Sequence, residues 1–386
     1  MTLGRTRALP LKSRQRLHED KLHVVNSGAV SSAPYRGHMT DTGDGFRRGG
    51  PATAYTLARE LDLDLADSAL VAIDSLALRR LATMLRSELE HDGVRRFGWN
   101  DDTYWLVDAA PAVRSQYLAV GNAINFRFWT LHDGLLRPTL GKRGGKELQG
   151  SMYMWRSLRQ CVAEGATPIL SAEFLSRLTP EEFRAIFQDD SGTCPIESAI
   201  EDRVINLRDL GDRLMDDWDG QFSNLIQASR NDLSLFARHS SFFRAYDDPL
   251  CKLTMVNAIM QSGSGLTNFD QEPLPGIDYE LVRQLLRMGI LKPRRDIALK
   301  LQSGELLHAE ESIELRRTAL SALIQVSDIA GFPCDVLDNK LWLNRTNCTD
   351  SMPVCRQPGR EHECPFAGTC AQITEFRMPL EITRYY

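Results

Sequence analysis

The chain has 386 residues, with 46 Lys plus Arg against 51 Asp plus Glu for a net charge of −5, 42% apolar residues and eight cysteines. That composition argues against collagen-like, wholly disordered and disulfide-scaffold classes. No apolar run reaches the ~18 residues that a bilayer span requires, and the opening MTLGRTRALPLKSRQRL lacks the unbroken hydrophobic stretch of a secretion signal. The expectation is a cytoplasmic protein without membrane association. In that compartment cysteines are free, catalytic or metal-bound more often than paired.

Charge is unevenly placed. Residues 1–50 hold nine Lys/Arg and four Asp/Glu, a net of +5, so residues 51–386 carry −10. An acidic body repels a phosphate backbone, which disfavours long nucleic acid as a partner. The first 50 residues are rich in Gly, Ser and Thr with no sustained period, and are predicted to be a flexible basic tail.

From Ala52 onward helical spacing dominates, with Asp74 and Ser75 at a helix start. Residues 104–129 read as helix, turn and helix ending in an aromatic patch, and 135–150 as a small hairpin with turn glycines. The GKRGGK within that hairpin is no phosphate loop, because Lys146 is followed by Glu147 rather than Ser or Thr. Two further helices follow, the second opened by Thr179 as cap, Pro180 at the first position and Glu182 available to a capping box. Helical patterns continue over 200–230, 249–261, 278–290 and 311–329. The predicted fold class is all-α with at most a small β-hairpin. Its expected parts are the tail (1–50), an N-terminal helical part (51–220), a second helical part (221–345) and a cysteine loop with the C-terminal tail (346–386).

Four cysteines fall close together, Cys348, Cys355, Cys364 and Cys370, with gaps of six, eight and five residues. Four thiolates in so short a stretch suit a closed tetrahedral metal site or a cubane cluster. Zinc usually draws on CxxC pairs, which are absent. The ending CPFAGTC and the six-residue first gap resemble the iron–sulfur loop of helix-hairpin-helix DNA glycosylases, with a middle gap of eight where that pattern has two. The resemblance implies a 4Fe-4S cluster, with structural zinc and unligated thiols as alternatives. Cys161, Cys194, Cys251 and Cys334 are scattered and read as small buried apolar residues.

Upstream, FPCDVLDNKLW sets Asp338 between apolar residues. Ionising a carboxylate there is costly, so such a residue caps a helix or serves chemistry. The segments AVGNAINFRFW (119–129), 152–187, IDYELVRQLLRMGIL (277–291), ESIELRRTALSALIQV (311–326), VLDNKLW and MPLEITRYY resemble, in the same order, motifs of the queuosine salvage family. The likeness spans roughly residues 52–386. It implies a queuosine 5′-phosphate N-glycosylase on a DNA-glycosylase-like helical fold, acting on a small nucleoside or nucleotide. Two departures stand out: Gly276-Ile277 replaces the family's Phe-Ala before Asp-Tyr, and the cysteine loop is an insertion.

On this resemblance Asp338 is the catalytic carboxylate, stabilising a ribosyl cation and orienting water. Asp278 grips the base with Tyr279 beside it, Lys252 meets the 5′-phosphate, and Phe126 and Asp335 complete the substrate-binding candidates. Bland alternatives stay open: core packing for Phe126, Phe128 and Trp129, and a solvated surface charge for Lys252. No lysine lies between Lys300 and Lys340 to form a Schiff base, so water is the expected nucleophile. Two rivals remain. One is an iron–sulfur DNA glycosylase, suggested by CPFAGTC and the LPGI turn at 274–277. The other is a non-catalytic binding module on the same fold.

Overall fold

The computed structural model describes residues 52–165 and 167–386, together with the Met39–Thr40 strand. The expected tail at 1–50 otherwise lies outside the described residues. Among the described residues, the architecture is built around the 22-residue helix Ala309–Ala330, of which thirteen positions are buried, polar Ser312, Arg316 and Ser321 among them. A helix buried almost all round must be enclosed by others. Helices Ser75–Asp92, Tyr279–Arg287 and Cys334–Asn344 pack directly on it. One apolar core runs continuously from Ala54 to Phe376.

The helix starts follow local chemistry. Asp74 caps Ser75–Asp92 by accepting from the Ala77 N–H at 2.8 Å. Thr179 and Glu182 form the reciprocal capping box expected of them, at 3.1 and 2.8 Å, with Pro180 at the first position. The stop after Ala330 matters most for the site. Gly331 takes φ 67°, a left-handed conformation that side chains disfavour, and Pro333 precedes the next helix. The chain therefore bends by 118° between Ala309–Ala330 and Cys334–Asn344.

The all-α expectation needs correction in one respect. About half of the chain is helical, and among the described residues there are four two-stranded antiparallel ribbons where at most one hairpin was expected. The 135–150 region makes two hairpins, Trp129–His132 with Leu135–Pro138 and Leu140–Arg143 with Lys146–Gln149. Val71–Ile73 pairs with Leu291–Pro293, and Met39–Thr40 with Arg96–Phe97. The last two pairings join segments far apart in sequence, which no local period announces. No single described helix is long and apolar enough to cross a membrane.

A buried ion pair joins the central helix to its neighbours. Arg316 donates to Asp248 at 2.8 and 3.3 Å, and both side chains are almost wholly buried. Asp248 also accepts from the N–H groups of Leu250 and Lys252, at 3.2 and 2.7 Å, which starts helix Lys252–Gly263. Arg316 further donates to the Ile277 carbonyl at 3.2 Å, and its guanidinium lies 4.0 Å from the centre of the Tyr386 ring. Arg316→Met, similar in bulk, leaves Asp248 as an uncompensated buried charge. The expected cost is about 3–5 kcal/mol, read as a lower denaturation midpoint with unchanged slope.

Candidate functional site

Helix Cys334–Asn344 carries the central residue. Its first N–H, that of Cys334, donates to the Glu272 carboxylate, and Asp335 follows in the first turn. Asp338 lies one turn further, inside the helix and not at its cap. It is 6% exposed, and its Oδ2 accepts the Gly276 N–H at 2.7 Å. Burial pushes its carboxyl up to about 8. The negative charges of Asp278 and Asp335 push the same way, against the Gly276 hydrogen bond and the Lys252 ammonium.

The loop before helix Tyr279–Arg287 delivers the partners. Asp278 caps that helix, its Oδ1 accepting from Glu280 and Leu281 at 2.9 and 3.0 Å. Gln284 then ties this helix to that of Asp338, donating to the Leu341 carbonyl at 2.8 Å and accepting from Asn344 at 2.9 Å. Lys252, 5% exposed, is not a solvated surface charge. Its Nζ donates to the Asn125 carbonyl at 3.0 Å, and burial lowers its pKa against the attraction of Asp278, Asp248 and Asp338. Asp278, Lys252 and Asp338 thus come from three elements into one electrostatic neighbourhood.

Asp335 pairs with Arg96, and its other oxygen, Oδ1, is buried without a hydrogen-bond partner. Burial raises its pKa, with Arg96 opposing. Glu272, which sequence reasoning did not single out, is a further buried carboxyl here. Burial pushes it up to about 7, and Asp335 adds to the push. Its position among the prolines of FDQEPLPGIDY gave no period by which to find it.

Phe126 is fully buried under Arg203, whose guanidinium sits 4.5 Å from the ring centre and donates to the Phe126 carbonyl at 2.6 Å. Burial lowers the Arg203 pKa to about 9. Phe128 and Trp129 are also buried, the latter against Met378 and Leu380. Tyr279 accepts from the Phe128 N–H at 3.4 Å, and its ring centre lies 6.1 Å from that of Tyr386. Two open surface hollows, about 420 and 460 Å³, lie elsewhere and are lined by none of the candidate residues.

All eight cysteines are free of disulfides. Among the described residues no group of three or more His, Cys, Asp or Glu side chains stands arranged to hold a metal ion. The four loop cysteines are nonetheless neighbours, the Cys370 sulfur lying within electrostatic reach of those of Cys348, Cys355 and Cys364.

A buried carboxylate, a buried lysine and a second acid converging from separate helices define a site able to stabilise positive charge on a bound ligand. Comparison with known proteins gives that chemistry a context. Residues 107–251 match the family model described as queuosine salvage protein. A Bos taurus protein named queuosine 5'-phosphate N-glycosylase/hydrolase is 24% identical over 267 residues, 64% of this chain and 76% of that protein. A Nematostella vectensis protein of the same name is 23% identical over 263 residues, 64% and 74% of the two chains. A solved structure of the 8-oxoguanine DNA glycosylase from Pyrobaculum aerophilum, complexed with 8-oxoguanosine, covers 79% of this chain and all of its own, with a TM-score of 0.40 and 16% identity. Residues 107–251 are thus similar to the queuosine salvage model and the chain to the two relatives, and neither likeness bears on the iron–sulfur resemblance.

Gly276 is the tightest point of the site. A Cβ there would lie 2.4 Å from Val256 Cγ2 and 3.3 Å from the Lys252 carbonyl. Gly276→Ala must therefore push the loop away from helix Lys252–Gly263 and loosen the hydrogen bond to Asp338. The expected loss is about 1–3 kcal/mol. A Gly276→Ala/Val256→Ala pair recovering much of that loss in thermal unfolding checks that the Val256 contact is the cause.

Proposed function

We propose that this protein is an N-glycosidase of queuosine salvage, hydrolysing the N-glycosidic bond of a 7-deazaguanine ribonucleoside or its 5′-phosphate to release the base. The names of the relatives and the matched family model support that activity. The observation that carries the residue assignment is Asp338 itself. A carboxylate buried in the second turn of a helix, held by one backbone N–H and surrounded by further acids, serves no capping role.

The reaction passes through a ribosyl cation. In this reading ionised Asp338 lies beside the anomeric carbon, favours the developing positive charge and orients the attacking water. Gly276 fixes the carboxylate by its single N–H, leaving the other oxygen, Oδ1, for the sugar or the water. The leaving 7-deazapurine has no nitrogen at position 7 to protonate, so its departure is helped at another edge of the base. Asp278 takes that role. Its Oδ1 is committed to the helix start, which leaves Oδ2 for the base. Tyr279 lines the same approach. Lys252 balances the acids and offers the one buried ammonium near them for a 5′-phosphate. Substrate phosphate competes there with the Asn125 carbonyl.

Asp338 favours its proton in the free enzyme, whereas the reaction uses the carboxylate. Substrate turnover is therefore expected to rise with pH, to be half-maximal near about 8 and to level off above it. Asp338→Asn keeps the size of the side chain and an acceptor for Gly276. It is expected to unfold no more readily than the wild type while base release from queuosine 5′-monophosphate falls by about 10²–10³-fold or more. Release of no base from either the nucleoside or the 5′-phosphate by wild-type protein would sink the assignment.

Stability gives a second readout. A carboxyl whose pKa is raised on folding holds its proton where the unfolded chain, titrating near about 4, has lost it. The Asp338 contribution is therefore full below about pH 4 and declines as pH rises to about 8, after which it is flat. The difference in unfolding free energy between wild type and Asp338→Asn should fall across that window. A pH-independent difference would show that Asp338 is ionised throughout.

A further inference from the structure

Residues 345–378 form a long stretch whose regular structure is two short 3₁₀ turns, Val354–Arg356 and Glu361–Glu363. Pro353, Val354, Phe366, Phe376 and Met378 are its few buried apolar anchors. A segment of that length without helix or strand needs another source of order, and small irregular units commonly find it in disulfides or metals. Disulfides are absent, yet four cysteines are spread through the segment.

Hydrogen bonds fold those four positions onto one another. The Cys348 N–H donates to the Asn344 carbonyl at 3.1 Å, and Asn347, beside Cys348, donates to the carbonyl of Glu363, beside Cys364, at 3.2 Å. The Cys370 N–H donates back to the Phe366 carbonyl at 2.9 Å, closing a turn that begins at Cys364. Arg356, next to Cys355, reaches Thr374 at 3.1 Å and the carbonyl of Gln372 at 3.4 Å, just past Cys370.

Two of the sulfurs also receive N–H donors. The Gln372 N–H donates to Cys370 Sγ at 3.3 Å, and the buried Arg287 guanidinium to Cys348 Sγ at 3.5 Å while also holding the Cys348 and Thr349 carbonyls at 3.0 and 2.9 Å. The Cys370 thiol in turn donates to the Arg287 carbonyl at 3.4 Å, and contacts of this kind fix the direction of a sulfur that ligates a metal.

We infer that Cys348, Cys355, Cys364 and Cys370 together form a tetrathiolate site for one soft metal centre, a zinc ion or an iron–sulfur cluster, which orders this loop in place of a disulfide. Each thiol gives up its proton to solvent as its sulfur takes the metal; zinc binds as the divalent ion and a cluster is transferred already assembled, so no electron is exchanged in either case. The role is structural, since four protein ligands leave no open coordination position.

The test is metal analysis of the full chain, purified without oxygen from cells supplied with zinc and iron. About one centre per chain is expected. Zinc without visible colour identifies the ion, while iron with acid-labile sulfide and visible absorption identifies the cluster. Cys348→Ser and Cys370→Ser should each lose most of that metal, whereas Cys161→Ser and Cys194→Ser should retain it. A chelator should lower the melting temperature of the wild type and leave Cys370→Ser unmoved. Wild-type protein without stoichiometric metal, or metal retained in full by both loop variants, overturns the site. Should a loop variant fail to fold, the wild-type metal content and its chelator response still decide the question. Neither readout depends on base release, so this site and the proposed activity stand or fall separately.

Discussion

The placement of the site depends on the Arg316–Asp248 pair. A guanidinium offers five donors in a rigid plane, and a buried one must have its charge and its N–H groups met together. Arg316 meets them by reaching three separate segments: Asp248 at the start of one helix, the Ile277 carbonyl just before another, and the face of Tyr386. The first contact fixes where helix Lys252–Gly263 begins, and so where Lys252 stands. The second holds the peptide that follows Gly276, and therefore the direction of the N–H aimed at Asp338. Asp338 needs that anchor, because its own helix supplies no hydrogen bond to its carboxylate.

The site does little to stabilise the fold. Glu272, Asp335 and Asp338 are all carboxyls pushed upward chiefly by burial, and the charge of Asp335 adds to the push on both Glu272 and Asp338. Against them stand Arg96, already paired with Asp335, and Lys252, whose own charge is disfavoured by burial. An arrangement selected for stability would replace such groups by apolar side chains of similar volume, often at no cost. Retaining them makes sense if a ligand carrying positive charge, transiently at a sugar carbon, completes the balance. On the proposed reaction the raised pKa of Asp338 is compatible with a role for its ionised form, because a developing cation would favour the carboxylate as the bond breaks.

What was legible in the sequence followed from local chemistry. The Asp74 cap, the Thr179–Glu182 box with Pro180, and the helical spacing through 311–329 all depend on residues within a turn of one another. The helix Cys334–Asn344 was less legible, since it is short, buried on most sides and follows a Gly-Phe-Pro break. For Asp338, a helix cap was the competing sequence reading. In the structure Asp278 has that duty and Asp338 does not. The ribbon between Val71–Ile73 and Leu291–Pro293, the Glu272 carboxylate on the Cys334 N–H and the Arg203 cover over Phe126 are products of long-range packing, and nothing within a window of the sequence encodes them.

The family match ends at residue 251, one position before Lys252, while Asp278, Asp335 and Asp338 lie beyond it. The lysine is held from both directions along the chain. Its backbone N–H is held by Asp248 within the matched region, and its Nζ reaches back to Asn125, in the same turn as Phe126, whereas the charges that stabilise it come from the acids that follow. On the proposed function, a ligand spanning base, sugar and phosphate would reach both Asn125 and the acids after Lys252. Two parts of the chain joined by a buried ammonium with one carbonyl partner give such a ligand a polar seam to enter, and the phosphate reading of Lys252 requires that seam to open. Exchange of the Asn125 carbonyl for phosphate would keep the ammonium paired throughout, because a charge of that kind left alone in the interior costs several kcal/mol.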